Sequence, residues 1–593
     1  MADLSISEAN ADAIEQAAVD AVLGDQTAEI RETERLVRAG TQRRRDHRHL
    51  LLPALHALQN AKGWISPGGL NYVCRQLQVP PAEAYGVATF YDLFRVDEPD
   101  TIGDVTHVCV DAACQISGSA ERQRELAARG VTVHRSPCLG QCDRAPAEFV
   151  QAVAGPDRVD ADSQPYVLPQ HGDSSLRLLR RIGVVDPNSL ASYQAAGGYE
   201  ALAAAIAMGP TAVCDAVAAS GLSGRGGAAF PTGVKWRAVA AEQGRPKHVV
   251  ANCDESEPGT FKDRVVMEND PFAVIEALTI AGFATAAENG WIYIRGEYPL
   301  ATRRLSEAIV QARAAGLLGE NVAGSGHRFD IEIRRGAGAY ICGEETALFA
   351  SIEGFRGEPR SKPPFPTTHG LFQEPTAVNN PETLLNVLEV INRGADGYRE
   401  VGTENSPGTK LLCLSGRVAR PGVYEVPFGT TLGEVLALAG GISGDDPLRA
   451  VLLGGAAGNF VLPDQLDMPM TLEDARQRGT TLGSGVVMAF TAEVDMVAVA
   501  VRIAEFFRGE SCGQCVPCRV GTVRQHETMV QLQQSGALTE QRRELSDDIA
   551  RVMADASICG LGHTAASAVG SALRLGLLGE GPGDGGVDQG RLP

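Results

Sequence analysis

The spacing of apolar and polar positions changes several times along the chain. Over residues 1–45, Ala, Val and Leu recur at helical spacing, and Ser5 and Glu8 ahead of them fit a capping box, so a helical arm is predicted. Residues 46–103 predict a helical domain. HLLLPALHALQNAKGW and PPAEAYGVATFYDLF read as helices, and Pro80 and Pro81 suit a helix start. From Asp104 the period shifts: THVCV is strand-like, AERQRELAARG helical and VTVHRS strand-like again, a small α/β unit over 104–175. Residues 152–190 carry no clear period and read as a linker. Through 176–409, KHVVAN, GWIYIRG and FDIEIRR alternate with helical runs in a larger α/β domain. KLLCLSGRVARPGVYEVPFGTTLGEVLALAGG reads as strand, Pro-Gly turn, strand and helix, an α+β module over 410–498. Residues 499–583 are helical in pattern, and 584–593 predict a disordered tail. No internal repeat is visible.

Composition adds limits. A chain of 593 residues implies several domains rather than one core. The net charge is −20, from 73 acids against 53 bases, which argues against nucleic acid or an anionic membrane surface as partner. No run of eighteen apolar residues exists, so no transmembrane helix and no direct membrane insertion are expected. MADLSISEANADAIEQAAVD lacks a basic start before an apolar core, so a cytoplasmic protein is expected. In that reducing compartment the 13 cysteines point to metal ligation rather than disulfides.

Four cysteines fall in the small α/β unit: Cys109 and Cys114 in CVDAAC, Cys138 and Cys142 in CLGQC. Two loops at one end of a sheet would bring the pairs together. Soft thiolates suit an iron–sulfur cluster, and the gap within each pair suits iron–sulfur better than zinc, which more often takes CxxC; zinc or unligated core thiols remain the alternatives. ESCGQCVPCR holds Cys512, Cys515 and Cys518, the run that grips three corners of a [4Fe–4S] cube. Cys559 is the only cysteine that follows, so it is the candidate fourth ligand. Cys74, Cys214, Cys253, Cys342 and Cys413 read as buried structural thiols.

Glycine clusters where backbone would approach a ligand. GLSGRGGAAFPTGVKW has glycines at 221, 224, 226, 227 and 233 with Arg225 and Lys235, a candidate phosphate cradle that has neither GxGxxG nor Walker A spacing. ANCDESEPGTFKDR sets Asn252, Asp254, Glu255 and Glu257 close together, acceptors for ribose or ribityl hydroxyls. RRGAGAYICGEETAL ends in Glu344 and Glu345, and SKPPFP supplies Lys362 for a phosphate or ribose and Phe365 to stack on a base.

With those motifs in hand, residues 190–580 resemble the NADH-binding flavoprotein subunit of respiratory complex I and its relatives. GRGGAAFPTGVKW, DESEPGTFKDR, IRGEY, GAGAYICGEETAL, KPPFP, NNPET and ESCGQCVPCR occur in that family's order. Residues 46–170 resemble the partner subunit that carries [2Fe–2S] on a thioredoxin-like domain, through VPPAEAYGVATFY and the paired cysteines. The resemblance implies a helical plus thioredoxin-like domain, a Rossmann-like FMN/NADH domain, a β-grasp (soluble-ligand-binding-like) domain, and a C-terminal helical bundle. It implies FMN held by Gly224, Arg225, Gly226, Gly227, Lys235, Asn252, Asp254, Glu255, Tyr340, Gly343, Glu344, Asn379 and Asn380. NADH would be contacted by Phe230, Glu257, Glu345, Lys362 and Phe365, with Glu257 and Glu345 positioning it. It further implies [4Fe–4S] on Cys512, Cys515, Cys518 and Cys559, and [2Fe–2S] on Cys109, Cys114, Cys138 and Cys142.

Three positions depart from the family. Ala229 stands where glycine is usual, so the loop is expected to avoid positive φ there. Cys253 replaces alanine near the expected flavin, as a packing residue or a reactive thiol. Pro381 biases Asn380 toward extended backbone. The resemblance implies a diaphorase exchanging hydride with NAD(H), NAD being preferred over NADP because Glu257 repels a further phosphate. The nearest relatives implied are the β subunits of NAD-dependent molybdenum or tungsten formate dehydrogenases, through SYQAAGGYEAL (192–202) and the intact first-cluster cysteines. The expected partner is a catalytic subunit with a molybdenum or tungsten pterin centre, in a hetero-oligomeric complex; hydrogenase subunits or complex I are the alternatives. A zinc-stabilised, non-catalytic scaffold is the competing reading from another class.

Overall fold

The structure, a computed structural model, describes residues 8–24, 47–244 and 246–579. Ser5 and the 584–593 tail lie outside the described residues. The N-terminal helix runs Ala13–Leu23 and is capped by Asp12 and Glu15, whose side chains and backbone N–H groups pair reciprocally. It buries Val19 and Leu23 against the helix Leu51–Lys62, and Lys62 Nζ meets Asp12 at 2.6 Å.

Three sheets follow. The first holds β1 (Val105–Cys109), β2 (Val133–Ser136) and β3 (Glu148–Gln151) in the order β2-β1-β3. β1 and β2 are parallel, with Cys109 opposite Ser136, so the loops carrying Cys114 and Cys138 leave the same end. The second sheet is fully parallel: β4 (His248–Cys253), β5 (Asn289–Ile294), β6 (Asp330–Arg335) and β7 (Thr376–Asn379), ordered β6-β5-β4-β7. The chain steps outward from β4 to β6 and then returns to β4's other side as β7. That reversal opens a crevice at the carboxyl ends of β4 and β7, the place where open α/β sheets bind ligands. The helix Pro271–Thr285 is buried almost throughout, as a core helix between layers must be.

The third sheet is mixed, β11-β10-β12-β8-β9, from β8 (Thr409–Gly416), β9 (Gly422–Pro427), β10 (Leu448–Leu453), β11 (Asn459–Val461) and β12 (Val486–Thr491). It has its own small core around Leu412, Tyr424, Val435 and Val487. The C-terminal region is helical, led by Met496–Glu510, Val516–Ser535 and Glu540–Ala556. Among the described residues no single helix is long and apolar enough to cross a membrane.

The stretch read as a linker is packed instead. Leu176, Leu178, Leu179 and Ile182 are buried, and Glu425 on β9 accepts from the backbone N–H groups of Arg177, Leu178 and Leu179 at 2.9–3.2 Å. One carboxylate does the satisfying that a regular ladder would otherwise do, so no period shows in the sequence.

Candidate active site

Two adjoining cavities of about 420 and about 730 Å³ open at the β4/β7 crevice. Both are lined by Gly226, Ala228, Asn252, Gly343, Glu344, Asn380 and Gly560, so they are two halves of one site. The smaller half adds Gly227, Asp254, Glu255, Glu257, Tyr340 and Ser484. The larger adds Gly224, Phe230, Lys235, Glu345, Lys362, Phe365 and Asn379. Every sequence-predicted flavin and nucleotide residue except Arg225 therefore lines the site.

Local structure fixes these groups. Asn252, next to the end of β4, donates to the Gly343 carbonyl at 2.8 Å. Asn380, after β7, has φ −75° and ψ 149°, the extended backbone that Pro381 imposes, and its side chain caps the helix Pro381–Arg399 through Glu382 N. Glu344 caps the next site helix, accepting from Thr346 N and Ala347 N at 2.8 and 3.0 Å, and Lys362 Nζ bridges Glu344 and Glu345 at 3.0 and 2.6 Å. Phe230 and Phe365, 50% and 58% exposed, supply two open aromatic faces in the larger half. Lys235 Nζ donates to Val378 O at 2.7 Å, and burial lowers its pKa.

The site fits a flavin. Asn379 Nδ2 and Ser484 Oγ are buried without a partner, one on each half, and both residues line the cavity. A Cβ on Gly226 would come within 3.2 Å of Asn380, so glycine keeps the floor open. Burial pushes the carboxyl pKa of Asp254 and Glu257 up to about 7. Glu257 still accepts from Tyr340 Oη and from Ala457 N.

Both thiol sets converge. Cys109, Cys114, Cys138 and Cys142 are all buried. Cys138 and Cys142 sulfurs are 3.7 Å apart, Cys109 and Cys138 ligating atoms lie within 4.8 Å, and Ala147 N and Gly140 N point at Cys114 and Cys138 sulfurs at 3.4 and 3.5 Å. Cys512, Cys515, Cys518 and Cys559 line a single small pocket with Ile341 and Leu561. Four soft donors gathered in each place, with N–H groups aimed at sulfur in the first, fit iron–sulfur ligation.

The walls between these places are thin. Ile341 and Leu561 line both the flavin-sized cavity and the Cys559 pocket. Tyr340 N donates to Glu510 at 2.8 Å, just before Cys512. On the other side, Arg295 donates to the Glu255 carbonyl at 2.7 Å and to the Cys138 carbonyl. Arg264 donates to Gly140 O at 3.0 Å and to Asp143 at 2.8 Å. Both arginines are buried, so they clamp the CLGQC loop onto the flavin domain. Gly140, at φ +64°, lets the loop dock, because a Cβ there would lie 1.9 Å from Tyr298 Oη.

Comparison with known proteins decides the family. The NADH-quinone oxidoreductase-F protein of Aquifex aeolicus (strain VF5) is 45% identical over 405 residues, spanning 68% of this chain and 93% of that protein. The chain belongs to the NADH-quinone oxidoreductase-F family.

The family's parts account for most of the length. Residues 217–389 match the Nuo51 FMN-binding domain, and 498–575 the NADH-ubiquinone oxidoreductase-F iron-sulfur binding region. Residues 37–163 match the thioredoxin-like [2Fe-2S] ferredoxin family and 411–456 the SLBB domain. The chain is thus a fusion of these units, an NADH dehydrogenase (diaphorase) module with FMN and both kinds of cluster, and the zinc-scaffold reading gives way. NADP-reducing hydrogenase subunit HndC of Solidesulfovibrio fructosivorans is 43% identical over 386 residues, 65% of this chain and 78% of that protein. The structure of an NAD+-reducing [NiFe]-hydrogenase in the H2-reduced state matches with TM-score 0.76 at 31% identity, covering 90% of this chain and 93% of that one.

Against the family's pattern, two expectations change. Arg225 points inward: it donates to Ser223, Tyr398 and the Pro407 carbonyl at 2.9–3.1 Å, lies over Phe428, and lines neither half of the site. It braces the glycine loop from behind. Ala229 takes φ +51°, against the expectation, because Gly224 N reaches back to Phe230 O at 2.9 Å and the loop can close only through a left-handed turn. That costs about 1–2 kcal/mol in an L-residue. Cys253 is fully buried and burial pushes its thiol well up, the state of a packing residue.

A cluster of charges was not foreseen. Glu382 is fully buried and binds Lys410 Nζ at 2.8 Å, Lys262 Nζ at 3.1 Å and Leu411 N at 2.9 Å. Its place in NNPET, directly after a capping asparagine and a proline, is the signal that it lies beneath the site rather than in water.

Buried carboxyls also set a pH dependence. Asp254 and Glu257 titrate near about 7 and Glu510 near about 8 in the folded chain, all raised by burial. The unfolded chain releases these protons near the ordinary pKa of about 4. The folded state therefore holds more protons above that value, and stability falls as pH rises from about 4 through about 8. Thermal unfolding of the parent should show a lower midpoint at pH 8 than at pH 6, with a smaller difference in Glu510→Gln. A midpoint that rises over that interval in both proteins would refute the assignment.

Proposed function

We propose that this chain exchanges hydride with NAD(H) in the β4/β7 site and passes single electrons between that site and its two clusters, as one subunit of a hetero-oligomeric redox complex. The carrying observation is the sequence Cys559-Gly560-Leu561: a candidate cluster ligand is followed at once by two residues that line the flavin-sized cavity. FMN, when bound, supplies the interconversion of a hydride pair and single electrons. Gly224, Gly226, Gly227, Lys235, Asn252, Asn379 and Asn380 would hold it. Phe230 and Phe365 clamp the nucleotide base, Lys362 meets its phosphate or ribose, and Glu257 and Glu345 orient the nicotinamide end. Ile341 and Leu561 keep water from the short wall toward Cys559. Hydride transfer needs orientation, and no side chain is required to move a proton.

Glu257 also disfavours NADPH by like charge. Glu257→Ala should raise the NADPH-to-NADH ratio of kcat/KM at least about tenfold, equivalent to about 1.4 kcal/mol. An unchanged ratio counts against this role.

The favoured partner carries a molybdenum or tungsten pterin centre that oxidises formate, a reading supported by the complete first-cluster cysteine set and by SYQAAGGYEAL. That stretch also has a packing role: buried Glu276 accepts from Tyr193 Oη, Tyr199 N and Leu202 N. A hydrogenase partner is the second reading, supported by the likeness to an NAD+-reducing [NiFe]-hydrogenase over 90% of the chain. The complex purified from its native cells should contain FMN and reduce viologen with NADH. Formate-driven NAD+ reduction with bound molybdenum or tungsten supports the first partner. Hydrogen-driven reduction with bound nickel replaces it with the second. A flavin-free, colourless protein refutes the diaphorase.

A further inference from the structure

We infer that Asp92, His107 and His134 form a binding site for a divalent transition-metal ion of the zinc type, apart from both cluster sites. One ligating atom from each lies within 4.8 Å of the others. His134 Nε2 is 3.1 Å from Asp92 Oδ1, close to the edge of a tetrahedron with metal–ligand bonds of about 2.0–2.1 Å. A cation can stand where the shared proton now stands.

The second observation is His107. It is 2% exposed, and neither ring nitrogen has a hydrogen-bond partner. Buried polar nitrogens are almost always paired, so two on one ring point to a ligand. The neighbouring amide of Gln151 does not fill the role, because it donates to Leu93 O at 2.9 Å and accepts from Gln59 at 3.5 Å. Strand register makes the pair: β1 and β2 are parallel with His107 directly opposite His134, and the two ring centroids are 4.8 Å apart. Phe149 packs on His107 from β3 and holds it in place.

Asp92 comes from another part of the chain. Its backbone N–H is held by Gly338 O at 3.1 Å, and Leu93 N by Ala337 O at 3.0 Å, so the carboxylate is presented from a segment tied to the flavin domain. Two imidazoles and one carboxylate suit zinc, and equally iron(II) or nickel(II). Asp92 and His134 also line a separate cavity of about 630 Å³. The ion would have three protein ligands and keep an exchangeable position toward that space. It would pin the segment after Pro81–Ala88 to the sheet that bears the first cluster.

The test is zinc binding to the whole holoprotein, treated with chelator and then dialysed against zinc, with zinc, iron and sulfide counted on the same samples. One zinc per chain, with iron and sulfide unchanged, is expected. His134→Ala and Asp92→Asn should each weaken binding by at least about tenfold, with their iron content equal to the parent's. His134→Cys, which restores a ligand, should recover most of the affinity. The proposal is overturned if the parent binds no zinc, if zinc enters only as iron leaves, or if both ligand variants bind it as tightly as the parent.

Discussion

Cys559→Ala should remove the [4Fe–4S] cluster and leave the flavin site standing. The iron content should fall by about four per chain, while FMN stays near stoichiometric and NADH still bleaches the flavin band in a single turnover. Electron delivery from NADH to the partner subunit should drop to background. The reasoning is local. Cys559 is the one thiol of the pocket that comes from outside the loop Cys512 to Cys518, and three ligands on that loop cannot close a cube alone. The flavin-facing residues beside it, Gly560 and Leu561, keep their backbone. Their helix Gly560–Thr564 does not depend on the sulfur for a cap. Metal binding is also folding energy, so the variant should melt at a lower temperature, first in the C-terminal helices. An unchanged iron count would remove Cys559 from the ligand set. A loss of FMN equal to the loss of iron would show that cluster and flavin sites fold as one.

Glu382→Ala is the largest stability effect expected. The carboxylate is fully buried between Lys410 and Lys262, and Asp263 also binds Lys262, at 2.7 Å. Removing Glu382 leaves two buried ammonium groups sharing one carboxylate. Breaking such a buried network costs about 3–5 kcal/mol. FMN affinity should fall with it, because the same network holds the site's floor. Lys262 Nζ donates to Asn380 Oδ1 at 3.2 Å, Asn380 Nδ2 donates to Asp263 at 2.6 Å, and Lys410 Nζ reaches Arg225 O at 3.3 Å. Denaturant unfolding with FMN counted in parallel checks both halves. A loss under about 1 kcal/mol would mean that the lysines find water or lose their protons. Lys410, already lowered to about 8 by burial, is the one closer to doing so.

How much of this could be read from sequence depends on what kind of signal each residue leaves. Ligand sets leave spacing. The CxxCxxC run and the paired cysteines were visible, and Cys559 followed because one candidate remained. Glycine and acid clusters marked the site, and all but one of the residues named from them line it. Arg225 failed because a motif gives the position of a side chain and not its direction; the loop's turn sends it to Tyr398 and Pro407. Ala229 failed because a glycine-to-alanine change was read as a change of backbone, while the Gly224–Phe230 closure holds the backbone and leaves the strain in alanine. The packed stretch 152–190 was missed because its N–H groups are satisfied by Glu425, a residue more than two hundred positions away. Lys262, Lys410 and Glu382 were missed for a similar reason: charged residues read as surface until their partners are known.

The arginine clamp on the CLGQC loop has a kinetic meaning once the fusion is taken into account. Were the thioredoxin-like unit a separate subunit, its contact with the flavin domain would be a bimolecular encounter, lost on dilution below its dissociation constant. Here the docking loop and its dock travel on one polypeptide, so Arg264 and Arg295 meet Gly140 and Cys138 at an effective concentration that the solution cannot change. Electron exchange between the two units is then first order in protein. Its rate per chain is the same in a crowded cell and in a cuvette.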